Sequence, residues 1–212
     1  MKISHNNFLK LSFDLAKINL GKTNSNPSVG CVVVKNGAVI SSGYTNLNGR
    51  PHAEYNALNK KIDFKNADMY VTMEPCTHYG KTPPCTNLII KKKIKRVFFS
   101  FYDADERTSK KIFSKLSPKK IKSFKKDIKE FKDFYQSYFI NKYNNIPYLD
   151  GKIAISKDFY TINKRSKWIT NELSRKRVHL IRSEYDSIIS TSKSINLDNS
   201  ILNCRLKGFN RD

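Results

Sequence analysis

Two short segments of the chain carry side chains whose types and spacing can hold a metal ion and move protons. The first is Pro51-His52-Ala53-Glu54, and the second runs from Glu74-Pro75-Cys76 to Pro83-Pro84-Cys85. Together they offer one imidazole, two thiols and a carboxylate. A zinc ion that does chemistry takes three protein ligands and keeps a fourth position for water. His52, Cys76 and Cys85 form such a set, and two thiolates beside a neutral imidazole cancel the charge of Zn2+. A zinc so held lowers the pKa of its water toward ~7. Glu54, outside the ligand set, is then the group that takes the water proton and passes it on. A proline before each cysteine suits a first helical turn, so both cysteines are expected at helix starts, where the helix dipole favours thiolate. Two plainer readings compete. Free cysteines often serve as apolar core filler. A structural zinc takes four protein ligands, and the spare candidates are His78 and the distant Cys31. His-x-Glu combined with two Pro-preceded cysteines favours the catalytic reading.

These groups need a scaffold that delivers them to one place. Residues 4–20 read as an amphipathic helix, with Phe8, Leu11, Leu15 and Ile18 at helical spacing and Gly21 as a stop. Strands are expected at 29–34 and 38–43, joined at Asn36-Gly37, a strong hairpin signal. A loop then brings His52 to the start of a helix over 53–60. A strand at 68–73 leads into the second segment, followed by a helix over 85–93 and a strand at 96–101. A helix near 107–117, a short strand near 119–124 and a helix near 129–142 complete the order. Its aromatic run, Phe131, Phe134, Tyr135, Tyr138 and Phe139, reads as core or interface. This alternation predicts a three-layer α/β/α unit with both metal segments beyond the carboxyl ends of strands. Asn144-Asn145-Ile146-Pro147 reads as a boundary, giving domains over 1–145 and 146–212.

Charge and composition narrow the function classes. The chain has 212 residues, 39% of them hydrophobic, enough for a packed core. Forty Lys and Arg stand against 18 acids, for a net charge of +22. Lys91-Lys92-Lys93, Lys119-Lys120 and Lys125-Lys126 are the notable runs. The basic residues are scattered and are not interleaved with aromatics, which reads as a solvated surface more than as a nucleic-acid interface. A positive field also suits a phosphorylated substrate. The four cysteines suggest no disulfide framework, as in a reducing cytoplasm. No stretch reads as a signal peptide or membrane span. From the residues alone, the chemistry is zinc-assisted deamination of an amino-heterocycle, the pattern of zinc nucleobase deaminases in which the Glu is not a ligand.

The longer spacer sharpens this. His52-Ala53-Glu54, Glu74-Pro75-Cys76-Thr77-His78, Gly80-Lys81-Thr82-Pro83-Pro84-Cys85 and Asn26-Pro27-Ser28-Val29-Gly30 resemble the deaminase half of the bifunctional riboflavin-biosynthesis deaminase-reductases. Cytidine and tRNA adenosine deaminases usually show Pro-Cys-x-x-Cys, whereas eight residues separate Cys76 from Cys85. The resemblance implies a cytidine-deaminase-like domain followed by an incomplete dihydrofolate-reductase-like segment. It implies hydrolytic deamination of 2,5-diamino-6-ribosylamino-4(3H)-pyrimidinone 5′-phosphate in riboflavin biosynthesis. It assigns Asn26 to the pyrimidine or ribose, His78, Lys81 and Thr82 to the ribose phosphate, and Asp103 to the substrate as well. Asp105 stands where the family has Asn, and Ala104 and Glu106 where it has prolines, which adds acid beside the phosphate. Alternatives are a deaminase of another nucleotide or of a tRNA base, or a non-catalytic zinc-binding scaffold.

After the boundary, Lys152-Ile153-Ala154-Ile155-Ser156 resembles the opening strand of the family's reductase half, and Ser166-Lys167-Trp168-Ile169-Thr170 its Ser-x-Trp-Ile-Thr motif. A helix carrying Arg175, His179 and Arg182 and a strand at 187–190 are expected next. The resemblance implies that Ser166, Arg182 and Arg205 hold substrate phosphate, and that Ala154, Trp168 and Asp198 face NADPH if this segment is completed. Lys157-Asp158-Phe159 replaces the usual Leu-Asp-Gly. With the chain stopping at Asp212, reductase activity is expected to be absent. Family members assemble, so a homo-oligomer is expected.

Overall fold

The computed structural model describes residues 4–161 and 168–208 and divides them into two compact units, 1–148 and 149–212. In the first unit, α1 (His5–Lys17) precedes β1 (Gly30–Lys35) and β2 (Ala38–Tyr44). Then come α2 (Ala53–Leu58), β3 (Asp68–Met73), α3 (Cys85–Lys91), β4 (Arg96–Phe101), α4 (Ile112–Leu116), β5 (Lys122–Lys125) and α5 (Gln136–Asn144). The five strands form one sheet in the order β2-β1-β3-β4-β5. β1 runs antiparallel to β2 and to β3, while β3, β4 and β5 are mutually parallel.

The Asn36-Gly37 hairpin forms as expected, with both residues at positive φ, 51° and 81°. β3 is buried along its whole length and β1 along nearly all of it, which suits the Val-rich run of a two-sided core strand. Two glycines show that helices cover both faces. A Cβ on Gly30 would stand 1.8 Å from the Ser12 carbonyl oxygen of α1. A Cβ on Gly43 would stand 2.5 Å from the Ala53 carbonyl oxygen of α2. Gly43 pairs with Cys31, the neighbour of Gly30, and successive residues of a strand face opposite ways. α1 and α2 therefore lie on opposite faces, giving the expected three layers.

The register also decides where the chemistry gathers. Gly30 pairs with Tyr44, and Cys31 pairs with Val71. The amino end of β1 thus lies beside the carboxyl ends of β2 and β3, and parallel β4 ends there too. The loops before β1 and after β2, β3 and β4 share one edge of the sheet. They carry Asn26, His52, Cys76 and Asp103.

Several elements are shorter than the periodicity predicts. The helix expected over 107–117 begins only at Ile112, because residues before it turn back: Thr108 and Ser109 N–H groups donate to the Asp105 carbonyl at 2.8 Å. The Glu74 carboxylate accepts from Lys110 N–H (2.9 Å) and Ile112 N–H (3.0 Å), tying α4 to the end of β3. The helix expected over 129–142 is a 3-10 turn at Lys129–Phe131 followed by α5. Its aromatic run packs largely on the core: Phe131 stacks on Phe13 with centroids 4.2 Å apart. Buried Tyr135 bonds Thr72 Oγ1 (2.5 Å) and donates to the Ser28 carbonyl (2.9 Å).

The second unit holds α6 (Glu172–Glu184) and α7 (Ser192–Asp198). The strands expected at 152–156 and 187–190 are not formed among the described residues. Lys157-Asp158-Phe159 closes a tight turn in which Ser156 N–H donates to the Tyr160 carbonyl at 2.8 Å. Phe159 sits there at φ 67°, a left-handed position that glycine takes without strain.

Candidate metal centre and active site

His52 ends the loop after β2 and precedes the first turn of α2, which holds Glu54. Cys76 follows β3, and Cys85 opens α3 behind Pro84. The expectation of a helix start at each cysteine holds for Cys85 only, since Cys76 lies in the loop after β3. It gains its donor from α3 instead: Cys85 N–H reaches the Cys76 Sγ at 3.1 Å. The Thr86 hydroxyl and N–H fix the Cys76 carbonyl at 3.2 and 3.3 Å.

The three ligand atoms converge, all lying within 4.8 Å of one another. His52 Nδ1 is 3.8 Å from Cys76 Sγ and 3.5 Å from Cys85 Sγ. Tetrahedral zinc, with Zn–S near 2.3 Å and Zn–N near 2.0 Å, places N and S ligands roughly 3.5 Å apart. The donor set therefore fits zinc in both chemistry and spacing, and the imidazole offers Nδ1.

Electrostatics within the cluster point the same way. The Cys85 thiol and then His52 hold the Cys76 thiol down, to about 4. Cys85, hydrogen-bonded to that sulfur and buried, is pushed up. His52 is raised by its partnership with Cys76. The lowered Cys76 value runs in the direction metal binding needs, since a bound cation deprotonates coordinating thiols outright. Glu54 is 4% exposed, and burial pushes its carboxyl up to about 7. Such a group can both hold and release a proton near neutral pH.

A cavity of about 560 Å³ opens at this edge, lined by His52, Glu54, Cys76, Asn26, Asp103 and Tyr138 among others. Asn26 donates through Nδ2 to the Gly49 carbonyl at 3.1 Å, which holds its amide at the wall. Asp103, raised chiefly by burial, accepts from the Tyr138 hydroxyl at 2.9 Å and from Asp105 N–H at 3.0 Å. His78, Lys81 and Thr82 do not line the cavity. His78 Nδ1 pairs with Thr108 Oγ1 at 2.9 Å, Lys81 is exposed, and Thr82 accepts from Arg50 Nη1 at 2.8 Å.

Several residues at this edge carry no motif signal. Arg50 ties the loop before His52 to the loop between the cysteines. Tyr138, expected only as core or interface, also reaches the cavity wall. Arg107 holds Asp105 by its Nε at 2.9 Å and Nη2 at 2.5 Å. The acid that replaces the family's Asn thus meets a guanidinium two residues on, and its carboxyl falls to about 2.

In the second unit, Ala154, Trp168, Arg182 and Arg205 line a separate cavity of about 220 Å³ with Arg175 and His179. Arg175 lies over the Trp168 ring, 4.6 Å from its centroid. Arg182 and Arg205 both bond Asn203, at 3.2 and 3.1 Å. Asp198, at the end of α7, does not line this cavity, and Ser166 lies outside the described residues.

A mixed sheet between helices, with a His-Cys-Cys cluster and a buried carboxylate at one edge, is the frame of a zinc-dependent deaminase. Residues 2–101 match the cytidine and deoxycytidylate deaminase zinc-binding region. The chain has a more particular likeness. It is 37% identical to the riboflavin biosynthesis protein RibD of Actinobacillus pleuropneumoniae over 203 residues, 94% of this chain and 54% of that one. It is 37% identical to the RibD of Aquifex aeolicus over 212 residues, 94% of this chain and 57% of that one. The structure of a Thermotoga maritima diaminohydroxyphosphoribosylaminopyrimidine deaminase/5-amino-6-(5-phosphoribosylamino)uracil reductase superposes with a TM-score of 0.88 at 34% identity, covering 98% of this chain and 61% of that one. The chain spans about half the length of the curated relatives it matches. No helix among the described residues is long and apolar enough to cross a membrane.

Proposed function

We propose that the first unit deaminates 2,5-diamino-6-ribosylamino-4(3H)-pyrimidinone 5′-phosphate, replacing the ring amino group by oxygen and releasing ammonia. The observation that carries this reading is the convergence of His52, Cys76 and Cys85 beside buried Glu54 on one cavity. Similarity to RibD proteins and the eight-residue spacer support the substrate.

His52, Cys76 and Cys85 would hold zinc, which would supply the acidity that activates water. Glu54 takes a proton from water, delivers it to the ring nitrogen, and then transfers a proton to the departing amine. One water and one C–NH2 become one C=O and one ammonia, with no redox change. Asn26 and Asp103 orient the ring and ribose from the wall. Lys81 and Thr82, with His78 and with Arg50 bridging to Thr82, hold the ribose phosphate at the rim. In the second unit, clustered Arg175, Arg182 and Arg205 are suited to an anion, while NADPH use there depends on completion of that unit.

The test is zinc content together with ammonia release from the diaminopyrimidine phosphate, compared with cytidine, dCMP and tRNA. Stoichiometric zinc and fastest release from the diaminopyrimidine phosphate are expected. Faster release from cytidine, dCMP or tRNA overturns the substrate assignment, and zinc without release from any of them favours the scaffold reading.

A further inference from the structure

The lysines that look scattered along the sequence are brought together by the sheet. The first residues of the three parallel strands stand in one row: Asp68 pairs with Arg96, and Arg96 pairs with Lys122. The segments that enter these strands therefore share one edge, opposite the metal centre. Lys61 and Lys65 precede β3, Lys93 and Lys95 precede β4, and Lys120 and Lys122 stand at the entry to β5. Backbone bonds join the segments: Asn66 N–H donates to the Lys93 carbonyl at 3.0 Å, and Lys122 N–H to the Lys95 carbonyl at 3.2 Å.

All six lysines are exposed, and none makes an ion pair among the described residues. The acids of the same segments are already matched. Asp63 is held by Lys35 at 2.8 Å and Asp68 by Arg96 at 2.5 Å. The positive charge of this edge is thus uncompensated, and adjacent strands repeat it every ~4.8 Å. The metal-centre edge is mixed: Arg107 pairs with Asp105, and both line one cavity with Glu54 and Asp103.

We infer that the amino-terminal edge of the parallel strands binds the phosphate backbone of a nucleic-acid duplex, without sequence preference. Lysine ammoniums are mobile point charges suited to phosphates. The one arginine of this edge is committed to Asp68, so no bidentate group reads bases. The aromatic side chain of the loop before β3, Phe64, is 1% exposed, so that loop has no stacking platform for single strands. Exposed apolar surface in these segments amounts to Ile62, 39% exposed, too little to seat in a lipid surface.

The test uses the full chain with zinc and a labelled duplex of about 20 base pairs, read by anisotropy across ~50–200 mM salt. Binding is expected at low salt and should weaken steeply, since each phosphate contact adds about 0.9 to the slope of log K against log salt. The variant Lys93→Gln/Lys95→Gln/Lys120→Gln/Lys122→Gln should lower that slope by roughly 2–4 and weaken binding at least about tenfold, with ammonia release unchanged. A control, Lys111→Gln/Lys157→Gln/Lys193→Gln/Lys207→Gln, removes equal charge elsewhere and should bind nearly as the parent does. No binding at low salt overturns the inference, and so does equal weakening by the control. Tighter association with phosphatidylserine vesicles or polyglutamate than with duplex, at matched salt, overturns the choice of partner.

Discussion

The two units of the chain solve folding differently. In the first, strands are buried between helices, and Leu9, Phe13, Val32, Met69, Tyr70 and Phe99 are all fully buried. In the second, Ser183 and Cys204 are the buried residues among those described, while Ile153 is 70% exposed and Ile189 88%. Its helices rest on local devices, joined by a few longer bonds such as Arg182 Nη1 to the Asn203 carbonyl at 3.2 Å. The Asn171 side chain caps α6 by accepting from Ser174 N–H, Thr191 caps α7, and Lys176 pairs with Glu172 one turn away. Helices can be stabilised by such near neighbours. Strands need a partner row of backbone groups, and residues 152–156 and 187–190 have none among the described residues. The contrast teaches that the metal centre sits where non-local pairing is densest. Its ligands come from the residue before α2, the loop after β3 and the first residue of α3, which only the sheet register brings together.

The sharpest way to break this comparison is to add one side chain where the packed unit has no room. A Cβ on Gly30 would overlap backbone of α1, so Gly30→Val should cost more than about 4 kcal/mol and unfold the first unit. Near-UV circular dichroism and zinc retention would report it. A variant that keeps native ellipticity and metal would show that α1 can move off the sheet, and the claim of dense packing would fail.

Next comes the carboxylate that this packing buries. Glu54→Gln keeps the shape of the site and removes its proton carrier. Turnover should fall by about 10²–10⁴, while zinc stoichiometry and thermal stability stay near the parent's. Loss of zinc along with activity would make Glu54 a ligand or a structural group, and unchanged turnover would end its proposed role.

How much of this was legible in advance follows from the range of each interaction. His52, Glu54, Cys76 and Cys85 are visible because their types and short spacings are local facts. The Asn36-Gly37 turn and the helix opened by Cys85 are local too. Arg107 beside Asp105 is only two residues away, yet it is invisible to a motif because nothing in the pattern demands it. Tyr138 lies 35 residues beyond Asp103 and could be placed only once the chain had closed on itself. The strands expected near 154 and 188 fail for the converse reason: their apolar runs are strand-like, but pairing is a property of neighbours. The lysine-rich edge was hidden in the same way, since three separated runs become one surface only through parallel β3, β4 and β5.

In the loosely packed unit a substitution should act locally. Phe159 occupies a left-handed turn position at φ 67°, which costs an L side chain roughly 1–2 kcal/mol. Phe159→Gly should relieve part of this, offset by about 0.5–1 kcal/mol of backbone entropy. The turn bonds from Ser156 N–H to the Tyr160 carbonyl and from Tyr160 N–H to Ser156 Oγ should exchange more slowly with solvent. The unfolding midpoint of the first unit should not move. A shift of that midpoint would mean that the two units share a cooperative transition.

The smallest effect tests the acid that departs from the family pattern. Hydrogen bonds from the Arg107 guanidinium hold the Asp105 carboxyl at about 2, against ~3.9 for an unfolded Asp. A depressed folded value means stability that is present above the unfolded value and lost as pH falls through the folded one. Asp105→Asn should therefore lower Tm slightly at neutral pH, by a few degrees at most, because the pair is at the surface and screened. The gap between parent and variant should close between about pH 4 and pH 2. Raising the salt concentration should shrink the neutral-pH gap as well. A gap that stays constant down to pH 2 would assign it to the turn bonds of Asp105, which accepts from Arg107 N–H at 2.9 Å. The charge brought in at this position would then be neutral for folding, and its consequence would have to be sought at the cavity it lines.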